Sequence, residues 1–93
     1  MRKLSYTNQF ARDFKREHKG RYKKVLDELL LEVLTYLRQD APLPKSYIDH
    51  PLSGDLKDCR DCHLKPDLVL IYRKPNPTDL ELVRIGSHSQ LDL

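Results

Sequence analysis

Leu-Lys-Asp-Cys-Arg-Asp-Cys-His-Leu-Lys-Pro-Asp-Leu-Val-Leu-Ile-Tyr-Arg-Lys, residues 56–74, decides the fold. Two runs rich in strand formers meet at Pro66-Asp67, which predicts an antiparallel hairpin with strands over 56–64 and 67–74. Alternate residues of a strand share a face. In the second run Leu68, Leu70 and Tyr72 lie on one side and Val69 and Ile71 on the other. Apolar groups on both sides predict a central, covered strand. In the first run Lys57, Cys59, Asp61 and His63 fall together, opposite Arg60, Cys62 and Leu64. A third run, 80–87, follows Pro75-Asn76-Pro77. There Arg84, Gly86 and His88 are in phase, while Val83 and Ile85 are expected to point toward the helices.

Working back toward the N-terminus, residues 2–6 alternate polar and apolar and predict a short strand. Thr7 or Asn8 offers a capping oxygen to a first helix whose inner face holds Phe10 and Phe14. Lys19-Gly20 ends or bends it. Tyr22, Val25, Leu26, Leu29, Leu30, Val33, Leu34 and Leu37 then recur at three- and four-residue steps, the stripe of a longer helix. Pro42 and Pro44 stop that helix and open a long connection, 40–54, holding His50-Pro51 and a Ser53-Gly54-Asp55 turn. The expected architecture is α+β: an N-terminal strand and an αα-hairpin packed on a twisted, mainly antiparallel four-stranded sheet, residues 1–93 as one domain.

The 93 residues are 39% hydrophobic and 33% charged, a globular rather than a disordered composition. No apolar run approaches the ~20 residues of a membrane span. The start, Met-Arg-Lys-Leu-Ser-Tyr, has no apolar export core, so a cytoplasmic address is expected. Net charge is +3. The positive residues crowd the first quarter of the chain, from Arg2 and Lys3 through Arg12, Lys15, Arg16, Lys19, Arg21, Lys23 and Lys24. Such a run is either a solvated helix face or a surface for a polyanion.

Strand parity places Asp61, His63, Arg84 and His88 on one face of the sheet. Asp67 lies between them, and His50 can reach the same surface from its loop. Only His18 stands apart. Imidazole titrates near pH ~6.5 and can both accept and donate a proton at neutrality. Two such groups and a cation suffice to drive an RNA 2′-hydroxyl onto its own phosphate without a metal. Other readings use the same residues. Cys59-Arg-Asp-Cys62-His63 matches the c-type haem attachment pattern, and Cys59, Cys62, His50 and His63 could be zinc ligands. In a strand, however, the two cysteines point to opposite faces, against both readings and against a disulfide. His50, His63, Asp67 and His88 could also hold a metal on the polar face. A non-catalytic binding module with a basic surface is the remaining alternative.

The series Asp49-His50-Pro51-Leu52, Gly54, Arg60-Asp61-x-His63, Pro66-Asp67, Leu70-Ile71-Tyr72 and Gly86-x-His88 resembles the YafQ-type toxins of the RelE/ParE superfamily. The short strand and basic helical hairpin before it extend the likeness over nearly the whole chain. The resemblance implies the toxin half of a toxin–antitoxin pair, neutralised by a cognate antitoxin. It implies an enzyme, without cofactor, that enters the ribosomal A site and cleaves mRNA. It also implies that His50, His63, Asp67 and His88 are catalytic, with Asp61 and Arg84 in support. The superfamily's gyrase-inhibiting branch is the nearest form of the binding-module alternative. Two positions depart from the family: Leu68 and Asp92 stand where it has aromatic residues. The expected roles are His88 as general acid and His50 as general base, with His63 and Asp67 positioning or sharing the base role. Arg84, Lys57 and Arg60 are the expected phosphate contacts.

Overall fold

The apolar stripe of the second helix and one face of the sheet close on each other. In the computed structural model, which describes residues 1–93, the chain runs β1 (Lys3–Tyr6), α1 (Asn8–Glu17), α2 (Leu26–Arg38), β2 (His50–Pro51), β3 (Arg60–Lys65), β4 (Leu68–Arg73) and β5 (Asp79–Gly86). Short 3₁₀ turns occupy Lys45–Tyr47 and Gly54–Leu56. The sheet has five strands in the order β1-β5-β4-β3-β2. The expected α+β class is correct, and the expected count of four strands is one short. β2 is the strand the reading lacked: two residues, pairing His50 with Asp61 and Pro51 with Arg60, are too few to show a period. β1 joins β5 in parallel, and the other pairings are antiparallel.

Phe10, Leu26, Leu30, Val33, Leu34 and Leu37 from the helices meet Cys62, Leu64, Leu68, Leu70, Tyr72, Leu80, Leu82 and Ile85 from the sheet. The covered central strand is β4, as expected: Leu68 to Tyr72 are all buried. A smaller cluster of Cys59, Val69, Ile71 and Leu91 lies on the opposite face, with Leu52, Leu56 and Val83 beside it. The second face is therefore only partly polar. The cysteines do fall on opposite sides, both as free thiols. No helix is long and apolar enough to cross a membrane.

Thr7 caps α1, its Oγ1 accepting from Phe10 N at 2.9 Å and donating to Val83 O at 2.8 Å. β1 runs out of partners at Leu82, and α1 takes over the exposed edge of β5. Ile85 N donates to Asp13 Oδ2 (3.2 Å), and Arg16 Nη2 donates to Ile85 O (3.0 Å). Side chains thus satisfy the edge groups that a neighbouring strand would otherwise fill.

One strand start and one stretch of alternation differ from expectation. β3 begins at Arg60, so Lys57 sits on the turn before it, exposed, and shares no strand face with His63. In β5, Ile71 pairs with Arg84 and Tyr72 with Leu82, leaving Val83 as a bulge. The bulge resets the alternation. Ile85 faces the helices as expected, whereas Val83 turns to the smaller cluster.

Candidate active site

The three imidazoles converge. The ring centroids of His50 and His63 are 6.4 Å apart and those of His63 and His88 5.2 Å, the second pair edge to face. Each ring arrives on a different support. β2 carries His50 at the rim of the sheet. β3 carries His63, and the turn after β5 carries His88. Leu91, buried in the smaller cluster, pins that last turn. Within it Ser87 N donates to Gln90 Oε1 (2.8 Å) and Gln90 N to Ser87 Oγ (3.1 Å).

Main-chain and carboxylate acceptors set the ring tautomers. His50 Nδ1 lies 2.9 Å from Ile48 O. A carbonyl can only accept, so Nδ1 carries the hydrogen and Nε2 presents a lone pair. Ile48 stands at φ 50°, unusual for a β-branched residue, and this turn aims its carbonyl at the ring. Asp49 fixes the same loop from the other side. Arg60 Nε and Nη2 donate to it at 3.2 and 3.1 Å, and the Tyr72 hydroxyl at 2.5 Å. His88 presents both its main-chain N (3.1 Å) and Nδ1 (2.9 Å) to Asp67 Oδ1. These bonds hold the Asp67 carboxyl below the usual carboxylate range, so it is an anion at neutrality.

Asp61 lies beneath the rings. The residue is 3% exposed, and burial pushes its carboxyl pKa up against the attraction of His50, His63 and His88. Oδ1 is 3.0 Å from His50 Nδ1, but that N–H is aligned with Ile48 O, so Oδ1 has no aligned donor.

Of the expected set, His50, His63, His88, Asp61 and Asp67 come together. Arg84 and Arg60 do not join them as free cations. Arg84 Nε and Nη2 grip Asp13 of α1 at 2.6 and 3.1 Å. Arg60, on the helix-facing side of β3, is spent on Asp49. Lys57 makes no ion pair. Asp13, Ile48, Asp49 and Leu91 were not anticipated. Only Asp49 had a visible cue, its place beside His50, and nothing pointed to its partners.

The model of the bacterial toxin of type II toxin–antitoxin systems, YafQ, matches residues 2–93. The chain belongs to the YafQ toxin family. It is 36% identical over 90 residues to the Escherichia coli K12 mRNA interferase toxin YafQ, covering 97% of this chain and 95% of that one. YafQ in the E. coli DinJ–YafQ complex superposes with a TM-score of 0.82 at 34% identity, covering 98% of each chain. A metal-bound toxin from Helicobacter pylori gives the same TM-score at 44% identity, over 98% of this chain and 99% of that one. The α+β fold is thus the YafQ fold, and the histidine cluster lies within the matched region.

Proposed function

We propose that the chain is an mRNA interferase, the toxin of a type II pair, which cleaves mRNA in the ribosomal A site and is held inactive by a cognate antitoxin. The observation that carries this reading is the histidine cluster, with both outer rings anchored through Nδ1 and their Nε2 atoms unengaged. His50 Nε2 takes the proton of the 2′-hydroxyl, whose oxygen attacks the adjacent phosphorus. The bond to the 5′-oxygen breaks, and His88 returns a proton to that leaving group. The products are a 2′,3′-cyclic phosphate and a 5′-hydroxyl. His63, between the two, faces the phosphate. With Arg84 and Arg60 held by carboxylates, positive charge for the phosphoryl oxygens falls to the protonated rings, and Lys57 is the unpaired cation of the expected set. Arg12, Lys15, Lys19, Arg21, Lys23 and Lys24 are exposed without ion pairs, a surface suited to ribosomal RNA phosphates.

The proposed chemistry needs no metal, although the H. pylori relative was crystallised with one. The test is mapping of cut sites in a purified translation reaction. His88→Ala is expected to lower cleavage ~10²–10⁴-fold with an unchanged melting temperature, and excess chelator is expected to leave the chain's own cleavage rate unaltered. A folded His88→Ala protein that cuts normally would refute the assignment.

A further inference from the structure

The largest cleft, about 440 Å³, opens beside the histidines and is not used by the acid–base steps above. Its walls include Leu29 and Glu32 of α2, Tyr47 and Ile48 of the loop, and His63 and Lys65 of β3. It exists because β2 is so short. That strand pairs only with Arg60 and Asp61, so from His63 onward the outer edge of β3 has no strand partner. The same left-handed turn at Ile48 that aims a carbonyl at His50 leaves the Ile48 side chain 58% exposed on the rim. Backbone held in a sparsely populated conformation tends to mark functional sites, and here one turn serves both the catalytic ring and the cleft.

The lining suits a flat, partly polar ligand. Tyr47, half-buried against the main core beside Tyr36, supplies an aromatic edge and Ile48 an apolar one; Glu32, which accepts from the Tyr47 hydroxyl, has acceptor capacity left for a ligand. Aromatic faces are the usual platform for unstacked bases. The volume lies within the ~300–1,000 Å³ typical of small-ligand pockets. His63 lines the cleft and belongs to the cluster, which puts the two side by side.

We propose that this cleft is a nucleobase subsite. It takes the RNA base next to the scissile phosphate between Tyr47 and Ile48, and Glu32 favours a base with an exocyclic amino group over uracil. This deepens, and rests on, the nuclease reading. A carboxylate accepts from amino hydrogens but repels a carbonyl oxygen, so the contact discriminates between the two kinds of base.

The experiment compares codon-resolved cut sites for the wild type, Glu32→Gln, Tyr47→Ala and Tyr47→Phe, using one set of synthetic messages that differ only at the bases flanking a single cut site. Glu32 is exposed, so its variant folds even if Tyr47→Ala does not. Glu32→Gln is expected to reduce the preference for amino-bearing bases over uracil about tenfold. Folded Tyr47→Ala is expected to lose rate at every flanking base, and Tyr47→Phe, which restores the ring, to recover most of that loss. A wild type that cuts, with Glu32→Gln cutting the same sites in the same ratios, would overturn the subsite and leave the nuclease standing. The same unchanged ratios together with weakened antitoxin binding would make the cleft a protein-docking surface instead. Intact messages with the wild type would overturn the nuclease reading and the subsite with it.

Discussion

Asp61 and Asp67 hold imidazoles in opposite ways. Asp67 is exposed and bonded twice to His88, so Asp67→Asn should loosen the ring with little effect on the fold. Asn keeps an oxygen to accept both bonds and removes only the charge, so single-turnover cleavage should slow while the melting temperature stays put. Asp61 is buried without an aligned donor, and its raised pKa makes ionisation costlier in the folded chain than in the unfolded one. Its contribution therefore favours folding at acid pH and diminishes as pH rises through the folded value. Asp61→Asn should leave the melting temperature at pH 7 equal or higher and yet lower cleavage at least tenfold, because the rings lose the charge beneath them. A variant that melts earlier at pH 7 would contradict this account.

At the scale of elements, the α1–β5 joint depends on Asp13. Burial alone would raise its pKa, but bonds from Arg84 and Ile85 N, with Arg16 nearby, outweigh burial and hold the carboxyl below the usual range. A depressed carboxyl stabilises the fold above its unfolded value of ~3.9 and loses that contribution as pH falls through the folded one. Asp13→Asn should cost about 2–3 kcal/mol in denaturant titrations at pH 7, with the gap to wild type closing below about pH 4. The joint also shows where sequence reasoning succeeded and stopped. Parity sorted Asp61 and His63 from Cys62 and Leu64 because β3 is regular through those residues. Parity misplaced Val83 and brought Arg84 into the site because it cannot foresee a bulge that resets the alternation. Thr7 was legible as a cap. The ring supports Ile48, Asp49 and Leu91 were not, since their partners are distant in the chain or made of main chain.

For the molecule as a whole, Arg21 lines a small cleft with Asp67 and Ser87 beside the histidine cluster, whereas Arg12, Lys15, Lys19, Lys23 and Lys24 line no part of it, so on the proposed function ribosome capture and chemistry should be largely separable. Raising salt from 50 to 200 mM should weaken ribosome association tenfold or more in sedimentation assays, whereas single-turnover cleavage in preformed complexes should change little. β5 is the last strand to be synthesised, yet it stands between β1 from the start of the chain and β4. Contacts so far apart in sequence form late. During its own translation the nascent chain consequently lacks both a closed sheet and its final imidazole until residue 88 has left the exit tunnel. A cell making this protein meets danger only from finished copies, and messages carrying a stop codon ahead of Asp79 should allow normal growth.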